Sequence, residues 1–351
     1  MSTNWETADI LKSPMEICWQ FDYDIDSDKL KNLYSKGKQA QWDAERDLDW
    51  STPIDPSRPL IDETRFGLEQ LDFFQAQPKK NREAFRAHMT AYQLSQFLHG
   101  EQGALMTAAA LTHAVPDYEG KLYVATQTMD EARHVEVYEK YVSKLAMVYP
   151  MGTWLKKLID VTLTADHWIK IAIGMNMVVE GLALASFHNM RRRTTCDLLR
   201  KITEGVLRDE SRHVAFGNVY VGEGIAQLHE DDREDIADFA FDAVKVMAGM
   251  RERGSAFGGD PGFLKVLANA EIDQNDLLQA VSEARAEGRS IDPPSDQIHA
   301  FKDLMMPALV RVGAVTKRSR ERFAEADIPV WEDPSILESL EDSETGTLEF
   351  N

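Results

Sequence analysis

The chain carries one six-residue pattern twice, as DEARHV at 130–135 and as DESRHV at 209–214. In each copy the glutamate and the histidine are three residues apart, so on a helix they project from the same face. Apolar residues recur at helical spacing around both copies. The repeated pair therefore predicts two helices that each offer a carboxylate and an imidazole to a common ion.

The apolar periodicity predicts four long helices, at about 81–113, 117–148, 152–190 and 194–228. Prolines end the first two of them, and four long helices joined by short connections describe a bundle. No stretch of any length shows the alternation typical of a strand. We therefore predict an all-α fold. Its parts are an N-terminal extension over 1–80 (mostly loop, with a short helix at 30–46), the bundle over 81–228, additional helices over 229–328 and an acidic tail over 329–351. Within 229–328 we expect one helix each at 231–252, 261–287 and 295–326.

Two further glutamates lie on the predicted core faces of the other bundle helices. Glu101 is in register with Phe97 and Ala104 on the first helix, and Glu180 is in register with Leu184 on the third. Four carboxylates in an apolar interior would each cost at least several kcal/mol without counter-charge. A pair of divalent ions removes that cost, and carboxylates with imidazoles suit iron, manganese or zinc.

This ligand set, with one glutamate from each of two helices and Glu-x-x-His from each of the others, is that of di-iron and di-manganese helix bundles. The sequence resembles the ferritin-like di-iron carboxylate superfamily over about residues 81–225. The doubled motif looks most like the bacterial multicomponent monooxygenases. The ribonucleotide reductase small subunit, its ligand-binding oxidase relatives, the acyl carrier protein desaturases and the arylamine N-oxygenases share the frame.

The resemblance implies a ferritin-like four-helix bundle that holds two iron ions, or a manganese and an iron ion. By the same resemblance, Glu131 and Glu210 bridge the ions. The remaining metal ligands, which are also the catalytic centre, are Glu101, Glu180, His134 and His213. The resemblance further implies a hydrogen bond from His134 to Asp209 and one from His213 to Asp130, which would fix both imidazoles.

Three positions bear on the subtype. Leu184 stands where the hydroxylases usually carry a threonine, and Val206 stands where the N-oxygenases add a third histidine. Tyr138 follows His134 by one turn, at the position of the radical tyrosine of the reductase small subunit. A radical role is one interpretation of Tyr138, but a core aromatic with a satisfied hydroxyl is the favoured one.

The ligand set and the family resemblance together predict an oxidoreductase that activates dioxygen and inserts one oxygen atom into a small organic substrate, at carbon or nitrogen. The alternatives are an oxidase or radical generator of the reductase-small-subunit type, and iron storage or peroxide scavenging. The sequence has no nucleotide-binding fingerprint and no cysteine cluster. We therefore expect electrons from a separate reductase or ferredoxin.

Charge and composition exclude other functions. A net charge of −20 would repel nucleic acids and anionic membranes. The longest apolar stretch, 168–187, contains Lys170, Asn176 and Glu180, which predicts a buried helix and no membrane span. The N-terminus lacks signal-peptide features, and the two cysteines are far apart. We expect a cytoplasmic protein, and we expect it to be a homodimer.

Overall fold

The computed structural model describes residues 9–25, 27–61, 68–252, 260–288 and 297–342. Within these ranges all the regular elements are helical, and the single β-type contact is an isolated bridge between Ile61 and Thr194. The predicted all-α fold is confirmed. The helices are α1 (Asp28–Gln39), α2 (Asp72–Gln75), α3 (Lys79–Ala114), α4 (Tyr118–Leu145), α5 (Thr153–Leu163), α6 (Trp168–Arg193), α7 (Asp197–Gln227), α8 (Glu230–Glu252), α9 (Pro261–Asn269), α10 (Gln274–Ala286), α11 (Ala300–Met305 continued by Met306–Arg311), α12 (Lys317–Glu325) and α13 (Ser335–Asp342).

Four of these helices form the bundle. Helix α3 packs along α4 and α6 packs along α7, while α4 against α7 and α3 against α6 join the two pairs. Short connections make each pair an antiparallel hairpin. Their apolar stripes meet in one core, which includes Leu94, Val137, Phe187 and Ile202. Helix α1 lies across α4 and α7, so part of the N-terminal extension covers the bundle.

The third predicted helix, 152–190, is wrong as a single element, because the chain turns between α5 and α6. The Thr164 hydroxyl donates to the Asp160 carbonyl at 2.7 Å, and the His167 ring accepts from the Ile169 N–H at 3.2 Å. Side chains that bond the nearby backbone in this way compete with helix continuation. Apolar periodicity continues across the break, so the sequence pattern hid it.

Helix α6 contains a π-helical segment over Ile173–Val179, which ends immediately before Glu180. A π segment places an extra residue in the turn and is often found at functional sites. The most apolar window of α6 has a mean hydropathy of 1.5 and would suffice in length for a membrane span, but 83% of it is buried inside the fold. Helix α6 is therefore a core helix of the bundle, as the sequence predicted.

The structure corrects three other boundaries. The short N-terminal helix covers Asp28–Gln39 rather than 30–46. A continuous helix over 261–287 is wrong, because Glu271 adopts φ 54° and Asp273 caps a new helix. A continuous helix over 295–326 also fails, since Gly313 has φ 82° and ends α11. Positive φ favours glycine and stops a right-handed helix.

The predicted tail is partly structured. Residues Ser335–Asp342 form helix α13, and Leu337 and Leu340 are buried against the rest of the protein. The sequence pattern is too short there to separate a packed helix from an acidic tail. The remainder of the tail prediction, residues 343–351, lies outside the described residues.

Candidate metal centre

The structure brings together all six predicted ligand residues at the middle of the bundle. Helix α3 supplies Glu101, helix α6 supplies Glu180, and the two repeats on α4 and α7 supply the other four. Glu101 is 5% exposed and Glu180 is 2% exposed, and the remaining four side chains are at most 1% exposed. Neither single glutamate therefore lies on a solvated helix face.

The ligand atoms fall into two groups, in each of which they lie within 4.8 Å of one another. The first is centred on His134, whose Nδ1 is 3.1 Å from Glu101 Oε2, 3.3 Å from Glu131 Oε2 and 3.2 Å from Glu210 Oε1. This group could hold one ion.

The second group contains Glu131, Glu180 and His213. The His213 Nδ1 atom is 3.1 Å from Glu131 Oε1 and 3.5 Å from Glu210 Oε2. Glu131 and Glu210 thus each present one oxygen to each histidine. Each of these two carboxylates could therefore bridge a pair of neighbouring ions, with one oxygen on each ion.

The donor chemistry fits metal ions. Three buried atoms of the cluster, Glu131 Oε2, Glu210 Oε2 and His213 Nδ1, have no hydrogen-bond partner among the described residues. Buried polar atoms without partners cost free energy, and several buried carboxylates repel one another. Divalent cations between the two groups would satisfy these atoms and neutralise the carboxylates.

Each histidine is oriented by the aspartate of the other repeat. His134 Nε2 lies 3.1 Å from Asp209 Oδ2, and His213 Nε2 lies 3.3 Å from Asp130 Oδ2. The two contacts cross between α4 and α7. Because each Nε2 is held by a carboxylate, each Nδ1 faces the centre, where it could bind a metal ion.

The repeats also supply two arginines, which neutralise these aspartates. Arg133 forms ion pairs with Asp130 and with Asp209, the latter at 2.8 Å. Arg212 contacts Asp130 at 3.1 Å and Asp209 at 2.5 Å. The two arginines and two aspartates thus alternate in a closed ring of ion pairs. All four side chains are buried.

The N-terminal extension completes this network with two residues that the sequence analysis missed. Trp42 donates its indole N–H to Asp209 Oδ2 at 2.8 Å. Gln41 donates to Asp130 Oδ1 at 2.7 Å and accepts from Arg133 at 2.7 Å. A glutamine and a tryptophan just after a short helix carry no metal-site signal, and their partners lie 89 to 167 residues away.

Amide side chains hold Glu180 in place. Gln127 donates to Glu180 Oε1 at 2.8 Å and to Glu131 Oε1 at 3.2 Å. Asn176, in the π-helical segment, donates to Glu180 Oε2 at 3.0 Å. Both amides are buried. Neither was predicted, because a single polar residue on a core helix does not differ in pattern from a packing residue.

Burial and neighbouring charges shift the pKa values of two glutamates and both histidines in the cluster. Burial, followed by the charge of Glu210, raises the pKa of Glu101 and of Glu180 well above the usual carboxyl value. Burial alone would lower the pKa of His134 and of His213. The surrounding carboxylates outweigh this effect and raise the pKa of each ring well above its usual value. Without metal ions, the cluster therefore holds protons that bound cations would displace.

A cavity of about 420 Å³ reaches this cluster from the side of α3 and α6. Its inner end is lined by Glu101, Glu180 and Glu210, and its walls include Phe97 and Ala183. Gly100 also lines it, with open space where a Cβ would stand. A mostly apolar cavity that ends on carboxylates can hold a small organic molecule next to bound ions.

The family model of p-aminobenzoate N-oxygenase AurF matches residues 25–252, more than half of the chain. The chain belongs to the AurF family. No curated protein matches it significantly. Among solved structures, a tyrosine-to-phenylalanine variant of R2-like ligand-binding oxidase with an anaerobically reconstituted Mn/Fe cofactor is 17% identical, with 88% of this chain and 95% of that chain covered and a TM-score of 0.47. An R2-like ligand-binding oxidase with an aerobically reconstituted Mn/Fe cofactor is 16% identical, with 89% and 96% covered and a TM-score of 0.46.

Membership of the AurF family and the buried cluster confirm the predicted class, an oxidoreductase of the ferritin-like di-iron carboxylate superfamily. The family match and the buried cluster also confirm the predicted kind of cofactor, a pair of iron ions or a manganese and an iron ion. Val206 and Leu184 are fully buried apolar side chains, so these two positions supply neither an imidazole nor a hydroxyl to the site.

Tyr138 is completely buried beside the site. Its ring stacks on Phe187 with centroids 5.8 Å apart, and Phe97 lies 6.1 Å away. Its hydroxyl has no hydrogen-bond partner among the described residues. The expectation of a satisfied hydroxyl is therefore wrong, although the ring does pack as a core aromatic.

Proposed function

We propose that this protein is a dioxygen-dependent oxygenase that transfers one oxygen atom to a small organic substrate bound in the 420 Å³ cavity. The metal ligands in this proposal are Glu101, Glu131, His134, Glu180, Glu210 and His213. Two iron ions, or a manganese and an iron ion, would supply the reduction of dioxygen and the oxygen transfer.

The observation that carries this proposal is the position of the cavity. Its inner end is formed by Glu101, Glu180 and Glu210, so a bound molecule lies directly against the carboxylates that face the ions. An iron store or a peroxide scavenger would not need an apolar chamber at this place. The mostly apolar lining of the chamber would disfavour water beside the reacting atoms.

In this proposal the surrounding protein residues hold the metal ligands in position. Asp130 and Asp209 fix the two imidazoles, and Gln127 and Asn176 hold Glu180. One atom of dioxygen goes to the substrate and the other leaves as water, which requires two electrons and two protons. The sequence has no nucleotide-binding fingerprint and no cysteine cluster, and in this proposal a separate reductase or ferredoxin supplies these electrons.

A second candidate function is that of an oxidase or radical generator. It is favoured by the buried Tyr138 hydroxyl, which has no hydrogen-bond partner among the described residues and lies close enough to Glu101 and Glu210 for their charges to raise its pKa, after the larger effect of burial. A phenol in this position can lose an electron to an adjacent oxidant. The two functions differ in their product, which is an oxygenated substrate in one and a lasting radical in the other.

We further propose that the protein is a cytoplasmic homodimer. The segment 9–25 exposes Ile10, Ile17, Trp19, Phe21 and Tyr23, each by more than half of its surface. Large apolar side chains in such density are typical of a surface that another chain covers. Light scattering of the intact protein would measure the mass, and a monomer at micromolar concentration would refute this part.

The test uses protein loaded with ferrous iron, reduced chemically and mixed with dioxygen and candidate substrates. Amines come first, since the family takes its name from an N-oxygenase, followed by hydrocarbons of similar size. Incorporation of labelled oxygen into a product, measured by mass spectrometry, is the expected result. Binding of two metal ions per chain is measured in the same samples.

A matched pair of glycine variants tests the cavity. Gly100→Leu fills the chamber without a backbone clash, whereas Gly249→Leu adds the same side chain in open space on α8. Both replace a helical glycine, so neither should lower stability. We expect Gly100→Leu to bind two metal ions and lose product formation, and Gly249→Leu to keep both. Equal product from the two variants would refute the assignment of this cavity.

A further inference from the structure

A continuous stack of aromatic rings leads away from the metal centre on the side opposite the cavity. Tyr123 and Phe216 stack with centroids 4.5 Å apart, and Phe216 and Tyr220 are 5.0 Å apart. Tyr220 and Trp168 follow at 4.7 Å. The first three rings lie within 24° of parallel in each pair.

The inner end of this aromatic stack belongs to the same helix faces as the ligands. On α7, Phe216 and Tyr220 follow His213 by three and seven residues, so all three share one face. On α4, Tyr123 precedes Gln127 by four residues, and Gln127 donates to Glu131 and Glu180. The stack therefore begins one turn beyond the ligand layer.

Two glycines make room for the outer rings. A Cβ on Gly120 would lie 2.9 Å from the ring and hydroxyl of Tyr220, and one on Gly224 would lie 2.7 Å from Trp168. Real side chains do not tolerate such contacts, so larger residues would displace the rings. The backbone of α4 and α7 thus approaches the stack as closely as glycine permits.

Tyr220 also has a proton acceptor. Its hydroxyl donates to Asp117 Oδ2 at 2.6 Å, which is the length of a strong charge-assisted bond. A phenol is oxidised at moderate potential only if its proton leaves together with the electron. Trp168, at the outer end, is partly exposed, and the Tyr123 ring at the inner end is buried.

We infer that Tyr123, Phe216, Tyr220 and Trp168 conduct single electrons between the metal centre and the protein surface. This inference rests on the proposed function for its oxidant. When dioxygen has reacted and no substrate is present, Tyr220 loses one electron towards the centre and its proton passes to Asp117. Trp168 then returns an electron to Tyr220, the proton returns from Asp117, and a one-electron reductant of the ferredoxin type re-reduces Trp168.

The route would protect the site. An oxidising centre without substrate would otherwise attack its own ligands or the cavity wall. Transfer of one electron to the centre through rings in contact is faster than oxidation of saturated side chains, because π systems lose electrons more readily. Tyr138 does not belong to this stack, since its ring contacts are Phe187 and Phe97 on the cavity side.

The first test uses protein free of metal ions, so its outcome does not depend on the proposed function. A photogenerated ruthenium(III) complex oxidises tryptophans at the surface, and time-resolved absorption separates tryptophan from tyrosine radicals. In the intact protein, decay of the Trp168 radical should produce a tyrosine radical. Both Trp168→Phe and Tyr220→Phe should lose that tyrosine signal, and Asp117→Asn should slow its formation.

Control variants keep this test specific. Tyr141→Phe alters another buried tyrosine, which bonds Cys196, and Trp50→Phe alters another partly buried tryptophan, which bonds the Ala44 carbonyl. Both should behave as the intact protein. An unchanged tyrosine signal in Tyr220→Phe, with circular dichroism showing an intact fold, would overturn the inference.

The second test uses iron-loaded, reduced protein mixed with dioxygen without substrate and frozen at set times. Electron paramagnetic resonance should show a tyrosine or tryptophan radical that moves to Tyr220 in Trp168→Phe and is lost in Tyr220→Phe. A radical that disappears only in Tyr138→Phe would overturn the route. Absence of metal uptake would instead contradict the proposed function, while the metal-free test would still decide the route.

Discussion

Replacing Glu180 by glutamine should change the pH dependence of stability in a direction fixed by the structure. Burial and the neighbouring Glu210 raise the pKa of Glu180 well above its usual value of 4.5. A carboxyl whose pKa is raised in the folded state stabilises that state below pH 4.5, and this contribution is lost as the pH rises towards the folded-state value. The contribution of Glu180 to the stability of the metal-free wild type should therefore decrease from about pH 5 upwards.

The magnitude follows from proton linkage. Each pH unit in that window costs the wild type up to about 1.4 kcal/mol for the one proton of Glu180. From pH 5 to pH 7 the free energy of unfolding of Glu180→Gln, relative to that of the wild type, should therefore increase by up to about 2.7 kcal/mol. The amide nitrogen of the variant faces the Gln127 or Asn176 donor, which adds a penalty of about 1–3 kcal/mol, but that penalty does not vary with pH.

Urea denaturation of both metal-free proteins at pH 5, 6, 7 and 8 measures this. We expect the free energy of unfolding of Glu180→Gln minus that of the wild type to increase with pH. Ferrous iron at 100 times its Kd should stabilise the wild type by about 2.7 kcal/mol and the variant by much less. Glu139→Gln, an exposed glutamate on α4, serves as the control. Parallel stability curves for Glu180→Gln and the wild type would refute the reasoning.

Three other variants, with Asp166→Asn as a control for the first, test the surroundings of the site. Asp209→Asn removes a negative charge beside two buried arginines. It should lower the free energy of unfolding, measured by urea denaturation, by about 3–5 kcal/mol, and the metal affinity, measured by equilibrium dialysis, 10–100-fold. Asp166→Asn, which removes an exposed partner of Lys170, should cost at most about 1 kcal/mol; similar costs would refute the buried network as a stabilising unit. Phe187→Ala opens a cavity beside Tyr138 and should lower the free energy of unfolding by about 3–5 kcal/mol, and a loss below about 1 kcal/mol would contradict its core position. Tyr138→Phe should keep metal content and product formation under the oxygenase proposal, while loss of turnover together with a tyrosine radical signal would favour the radical generator.

The sequence predicted the centre of this molecule better than its periphery. The doubled motif and the helical period placed six side chains from four helices together, because a residue on the core face of a bundle helix has few places to point. Glu101 and Glu180 followed from register alone. The family comparison agrees with the oxidoreductase class, whereas the individual ligand roles remain predictions for metal analysis.

Other contacts could not be read from one sequence. Gln127 and Asn176 look like any polar residue on an apolar helix, and only the fold shows that both reach Glu180. Trp42 contacts Asp209 across 167 positions of the chain, a separation that periodicity does not address. The break at 164–167 depends on side chains that bond their own backbone, and such bonds leave the apolar pattern unchanged.

The exchange of aspartates between the two repeats makes the halves of the centre interdependent. Asp130 supports the histidine of α7, and Asp209 supports the histidine of α4, so damage to one helix disorients the ligand on the other. A descendant of this chain could not discard one repeat and retain a working single-ion site on the other. Removal of either repeat would therefore affect both imidazoles, one by deletion and the other by loss of its aspartate.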